Sequence, residues 1–301
     1  MIRLLVLIVG LGCFASAQAE IDVVDFQGND IRLTTPARRI VSLAPHLTEL
    51  VFAAGAGDRL VGAVEYSNYP EAANAVPRVG SFENIDLERV VTLRPDVILA
   101  WGSGNRSAHL TRLNTLGIPV YVNEPRELDD IARSLEDIGR LAGTDSFANE
   151  AATAYRQRLA DLQGRYRHLP PVRVFYQVWH QPLMTISGAH PITKLIQVCG
   201  GENIFGSLPS LAPSVSIESV LARDPEVIVA SGMDTARPEW LDMWKKWPSM
   251  TAIQRDNLFF IPPGPMQRST PRLLDATSEL CGQLELARQR RPVTENPSHA
   301  H

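Results

Sequence analysis

One stretch of this chain occurs twice. Leu87-Glu88-Arg89-Val90-Val91-Thr92-Leu93-Arg94-Pro95-Asp96-Val97-Ile98-Leu99-Ala100-Trp101-Gly102 aligns without a gap on Ile217-Glu218-Ser219-Val220-Leu221-Ala222-Arg223-Asp224-Pro225-Glu226-Val227-Ile228-Val229-Ala230-Ser231-Gly232, with seven of sixteen positions identical at a constant offset of 130. A unit of that length is too long for a solenoid repeat and suits two similar domains. Each copy reads as a short helix that opens near its Glu, is stopped by Pro95 or Pro225, and is followed by a buried strand. Other β-branched runs continue the alternation: 39–43, 60–64, 97–101 and 120–122 in the first half, then 172–179, 227–230 and 258–261 in the second. Strands separated by helix-length segments imply parallel or mixed sheets covered by helices, hence an α/β protein. A small hairpin over residues 20–37, turning at Gln27-Gly28-Asn29-Asp30, precedes the first unit.

Between the copies the period changes. Phe147, Ala151, Tyr155, Leu159, Leu162 and Tyr166 recur at spacings of four and three, which predicts one long helix within 144–169 carrying these residues as its buried stripe. It follows Gly143-Thr144 and stops before Pro170-Pro171. About 24 residues at ~1.5 Å each span roughly 36 Å. The expected architecture is therefore two Rossmann-like α/β lobes, 38–143 and 170–290, bridged by a single helix, with a ligand in the cleft between them. A helical bridge is stiff and permits only small lobe rotations.

Charge and the chain start narrow the possible partners. The formal net charge of −4 leaves no basic excess to neutralise phosphates, so nucleic acid is excluded as a partner. Arg3, the apolar run Leu4 to Phe14 and the small-x-small site Ala17-Gln18-Ala19 make residues 1–19 a cleavable export signal, too short to span a bilayer. A lipoprotein anchored through Cys13 is the competing reading, but Gly10 stands where a lipobox carries Leu. The mature chain then has a charge of −5, two cysteines, Cys199 and Cys281, and a disordered tail over 291–301. A soluble protein in an oxidising compartment, best a bacterial periplasm, would pair its two cysteines; two buried free thiols are the alternative.

Chemistry is mostly absent. None of the seven histidines sits in metal-ligand spacing, and neither a nucleophile elbow nor a phosphate loop is found. Gly102-Ser103-Gly104-Asn105 follows a strand, yet Ser107 replaces the third glycine of a dinucleotide fingerprint, so this is a tight strand-to-helix turn. The strand ends instead carry rings: Tyr66 after the second strand, Trp101 after the third, Trp179-His180 after the first strand of the second lobe. Phe82 precedes the repeated helix, Met266 and Arg268 follow the last strand, and Tyr69, before Pro70, is read as core. Flat rings from both lobes suit a large, flat, partly apolar ligand. A chelatase-like enzyme on the same scaffold would need acids or nucleophiles there, so a carrier without cofactor or metal is expected rather than an enzyme.

Several segments match one family in order over residues 38 to about 287. Arg39 to Leu50 (Arg-Ile-Val-Ser-Leu-Ala-Pro-His-Leu-Thr-Glu-Leu), Gly62 to Pro70, Asp86-Leu87-Glu88-Arg89, Pro95-Asp96-Val97-Ile98, Cys199 to Phe205 (Cys-Gly-Gly-Glu-Asn-Ile-Phe) and Ser269-Thr270-Pro271-Arg272 resemble the periplasmic vitamin B12-binding proteins of ABC importers. These belong to the helical-backbone substrate-binding proteins for ferric siderophores, haem and cobalamin. The resemblance implies two lobes bridged by a helix, a Cys199–Cys281 disulfide, and cobalamin or a related corrinoid as ligand. Tyr66 and Trp101 match positions lining the corrin site; Phe82 replaces a Trp. Ala212 stands where a Trp is often found and Gly264 where an Asp faces the ligand, departures that weaken contacts or widen the pocket. Haem, with Tyr66 or His180 on iron, and a ferric siderophore near Arg268 are the alternative cargoes. The resemblance further implies that Glu88 and Glu218, the charged identity shared by both copies, dock on Arg residues of a two-fold permease served by its ATPase, the free protein being a monomer.

Overall fold

A computed structural model of the chain describes residues 20–231 and 236–292. The export signal read over 1–19, most of the tail read over 291–301 and Gly232 of the repeat lie outside the described residues. The hairpin β1 (Ile21–Val24) and β2 (Asp30–Leu33) leads into β3 (Ile40–Ser42), α1 (Pro45–Ala53), β4 (Leu60–Ala63), α2 (Leu87–Thr92), β5 (Val97–Trp101), α3 (Ser107–Thr115) and β6 (Val120–Asn123). Two long helices follow, α4 (Asp130–Ala142) and α5 (Asp145–Tyr166). The second lobe comprises β7 (Val172–Gln177), β8 (Trp179–His180), β9 (Leu183–Met184), α6 (Pro191–Val198), β10 (Gly201–Asn203), α7 (Ile217–Arg223), β11 (Val227–Ala230), α8 (Thr251–Gln254), β12 (Leu258–Phe260), α9 (Pro263–Gln267) and α10 (Leu273–Gln289).

Each lobe is built on a four-stranded parallel sheet, β4-β3-β5-β6 in the first and β10-β7-β11-β12 in the second. Counted within its own lobe, each sheet has the order second-first-third-fourth. The repeated sequence forms the same piece of both lobes, a short capped helix feeding the third strand. Asp86 caps α2 by accepting from Arg89 N at 3.0 Å, and Ser216 caps α7 by accepting from Ser219 N at 3.2 Å. The hairpin belongs to the first lobe: Val23, Ile31 and Leu33 are buried, and Phe26 N donates to Val122 O at 3.0 Å.

Apolar strands buried on both faces need cover on both. One core cluster runs through the whole molecule, from Ile40 and Leu47 through Tyr155 and Leu159 to Val174 and Leu280, and each lobe adds a separate cluster on its other sheet face. The helix α5 spans both lobes. It turns back on α4 at Gly143, which takes a left-handed φ of 64°. A Cβ at Gly139 of α4 would sit 2.2 Å from the Ala148 Cβ of α5, so the close crossing of the two helices needs this glycine.

That crossing corrects the stripe expected on the bridging helix. Its buried line is Ala148, Ala152, Tyr155, Leu159 and Leu162, whereas Phe147 is 68% exposed and Ala151 and Tyr166 are half-buried. The helix has α4 as a near neighbour along its first turns, and only small residues fit that approach. Two strand assignments also change. The run 172–179 breaks at Val178, and Trp179–His180 forms an antiparallel pair with Leu183–Met184. Gly201–Asn203, a poor strand former by composition, is the edge strand of the second sheet because β7 offers it a parallel partner.

Candidate functional site

In open parallel sheets, ligands sit beyond the carboxyl ends of the strands, where the strand order reverses. In the first lobe that point lies between β3 and β5, and one buried amide organises it. Asn105 accepts from Trp101 N at 2.7 Å and donates to Leu43 O at 2.9 Å and Phe82 O at 2.8 Å. It therefore ties together the ends of both strands and the loop that carries Phe82. The Trp101 ring folds back over Gly104, where a Cβ would lie 1.9 Å from it. Trp101 meets the buried His46 edge-on at 5.4 Å and Phe82 at 5.8 Å; Trp101 and Phe82, both half-buried, form an aromatic wall. Burial, with a smaller push from the Arg268 charge, holds the His46 imidazole down at about 4. It is neutral at ordinary pH.

The second lobe presents a different surface. His180 stacks on Trp240, with ring centroids 5.4 Å apart and planes at 13°, and Trp179 lies tilted against His180 at 5.1 Å. Trp179 Nε1 donates to Gln181 O at 2.9 Å. Beneath them the fully buried Trp244 donates to Gln177 Oε1 at 2.7 Å, fixing the end of β7. Trp240 escaped the sequence reading, although its spacing from Trp244 and Trp247 on the turn after β11 was a usable signal.

The remaining expected residues are distributed unevenly. Tyr66 is 72% exposed, with a left-handed φ of 62°. Tyr69, expected in the core, is 43% exposed, its ring covered instead by the Arg272 guanidinium at 3.6 Å. Met266 is 2% exposed within the core that joins the lobes, so its thioether packs against protein. Arg268 turns inward: its donors reach Glu49 at 2.6 Å, Asn68 at 3.2 Å and Tyr66 O at 3.1 Å. Glu49, unremarked within the His46-Leu47-Thr48-Glu49 segment, is a buried carboxylate linking the lobes. Ala212 is exposed, and a Cβ at Gly264 would meet nothing within 4 Å.

Glu88 and Glu218 occupy equivalent places, the second residue of α2 and of α7, both exposed. Each helix leads into the start of a parallel strand and so begins at the carboxyl edge of its sheet. Among the described residues neither carboxylate has an ion-pair partner. Cys199, at the end of α6, and Cys281, on α10, are joined in a disulfide. Among the described residues there is no cluster of metal-ligating side chains, and no helix is long and apolar enough to cross a membrane. A cavity of about 830 Å³, lined among others by Glu127, Arg156, Arg167 and Lys194, flanks α5 and involves none of the aromatic residues above.

Comparison with known proteins bears on the family and the fold. Residues 40–265 match the family model described as periplasmic binding protein. The vitamin B12-binding protein of Vibrio cholerae is 38% identical over 255 residues, covering 84% of this chain and 91% of that protein; that of Yersinia pestis is 38% identical over 255 residues, covering 84% and 89%. The crystal structure of the periplasmic vitamin B12-binding protein BtuF of Vibrio cholerae superposes with a TM-score of 0.76, covering 84% of this chain and 99% of that one. The periplasmic haem-binding protein HutB of Vibrio cholerae, at 21% identity and a TM-score of 0.72, covers 82% of this chain and 98% of its own and shares the fold. With two lobes of one topology, a helix between them and a matched span covering most of its length, this chain belongs to the periplasmic binding protein family.

Proposed function

We propose that this protein captures cobalamin or a closely related corrinoid in the cleft between its lobes and delivers it, unaltered, to the permease of an ABC importer. The observation that carries the reading is the pair of aromatic surfaces at the strand ends, Trp101 with Phe82 on one lobe, Trp179 with His180 and Trp240 on the other. Flat conjugated ligands are held by such faces. Similarity to vitamin B12-binding relatives over most of the chain favours a corrinoid above haem. Glu88 and Glu218, exposed and equivalent on the two lobes, suit a permease with two-fold symmetry and a cation on each half. Charge pairs of this kind set orientation and encounter rate more than affinity. Relatives that are themselves periplasmic binding proteins support a carrier that performs no reaction, working in the periplasm.

Absorption spectra and tryptophan quenching of the mature protein with cyanocobalamin, haem and a ferric siderophore test the reading. Stoichiometric binding of cyanocobalamin, recovered unmodified, is expected. Replacing Trp101 with Ala should cost about 1 to 3 kcal/mol of that binding. Tighter binding of haem than of cyanocobalamin would reassign the cargo, and turnover of the bound molecule would make the protein an enzyme.

A further inference from the structure

Glu49, on α1 of the first lobe, is 4% exposed. A carboxylate at that depth needs its full set of donors. Among the described residues, its side-chain donors all come from the segment after α9 in the second lobe: Arg268 Nη1 at 2.6 Å, Thr270 Oγ1 at 3.1 Å, and Arg272 Nη1 at 3.3 Å. Both arginines then return to a single loop of the first lobe. Arg268 donates through Nη1 to Asn68 Oδ1 at 3.2 Å and through Nη2 to Tyr66 O at 3.1 Å, while Arg272 lies over the Tyr69 ring at 3.6 Å.

That loop cannot hold its shape by local preference alone. A bulky residue with a positive φ is disfavoured by contact between its Cβ and the following carbonyl. Tyr66 nevertheless has a φ of 62°, and its ring stands 72% exposed. Its carbonyl accepts from Asn68 N at 3.0 Å within the turn and from Arg268 across the lobes, and Arg78 Nη2 holds the next carbonyl, Ser67 O, at 2.8 Å. One of the two arginine anchors of the turn is therefore supplied by the opposite lobe and is itself oriented by Glu49.

We propose that Glu49 is a positioning residue for Tyr66: through Arg268 it fixes the left-handed turn that presents the Tyr66 ring to the ligand, and so couples the separation of the lobes to the shape of the binding surface. The proposal rests on the corrinoid reading of the cleft. At 4% exposure Glu49 acts through Arg268. A fork-shaped donor is required, because one end must face the carboxylate while the other reaches a backbone carbonyl.

Cyanocobalamin titrations of the wild type, Glu49→Gln, Tyr66→Ala and the double variant, with melting temperatures for each, test it. Glu49→Gln should weaken binding by about tenfold. The double variant should bind within about twofold of Tyr66→Ala alone, because the two act as one unit. Arg268→Lys keeps a cation beside Glu49 but loses the reach to Tyr66 O, and should weaken binding like Glu49→Gln; it serves if Glu49→Gln does not fold. A ligand-free readout separates this inference from the identity of the cargo: with 3-fluorotyrosine incorporated, the fluorine resonance assigned by Tyr66→Phe should shift in Glu49→Gln and in Arg268→Lys. Unchanged affinity, additive losses, or an unmoved Tyr66 resonance would overturn the proposal. Absence of cyanocobalamin binding by the wild type, with the resonance still shifting, would overturn only the choice of ligand.

Discussion

The two lobes share a sheet order and a capped helix with Glu at its second position, yet their strand ends differ. At equivalent points of the repeat, β5 finishes in Trp101, a half-buried ring, and β11 is followed by Ser231, a fully buried hydroxyl. The first lobe builds its wall from loops tied by a single amide, Asn105. The second builds it from a short hairpin and a tryptophan-rich turn braced by Gln177. Cross-linking differs as well, the disulfide lying entirely within the second lobe. Scaffold positions, set by burial and helix capping, are alike in both copies, whereas the residues at the strand ends differ. A duplicated frame can thus carry two unlike surfaces.

Removing the covalent asymmetry should have the largest effect. The bridge closes a loop with a sequence separation of 82 residues, for which chain entropy gives about 4 to 5 kcal/mol, reduced where strain or residual structure intervenes. Cys281→Ser, or reduction, should lower stability by about 2 to 5 kcal/mol, with amide exchange accelerating in β7 and β11 more than in β3 and β5. Equal acceleration in both lobes would show that the core running through the molecule makes them one cooperative unit and would break the comparison.

Titration should distinguish the lobes next. His46 in the first lobe and His190 in the second are both held below the usual imidazole range by burial, His46 to about 4. The unfolded chain therefore binds protons at a higher pH than the folded one. Stability is complete above about pH 6.5 and falls as pH drops toward 4, by about 3 kcal/mol from His46. Denaturant titrations across that range should show this slope, largely flattened in His46→Gln and less so in His190→Gln. The reverse ranking would place the more strongly buried base in the second lobe.

The smallest effect on stability is expected where the lobes are most alike. Glu88→Ala with Glu218→Ala should change stability by no more than about 1 kcal/mol per site, the worth of a carboxylate at a helix N-terminus. Ligand binding should persist while uptake through the cognate importer is lost. Normal uptake, or loss of binding itself, would reduce both carboxylates to helix-terminal charges.

Local physics was legible in the chain and long-range pairing was not. The repeat, the alternation of strands and helices, and the 3.6-residue period of the bridge determined two α/β lobes joined by a helix, because burial and capping act between residues close in sequence. The stripe on that helix was misplaced by one position at its start, since the close approach of Gly139 to Ala148 depends on a neighbouring helix. Strand ends pointed to Trp101, Trp179 and His180, and tertiary structure decided what surrounds them. Trp240 joins the second wall only because its turn folds back over β8. Arg268, read as facing a ligand, is turned inward by Glu49, 219 residues away, and Met266 is drawn into the core. Such contacts leave no periodic trace: a buried charge selects its partner by proximity in space, and only the folded chain creates that proximity.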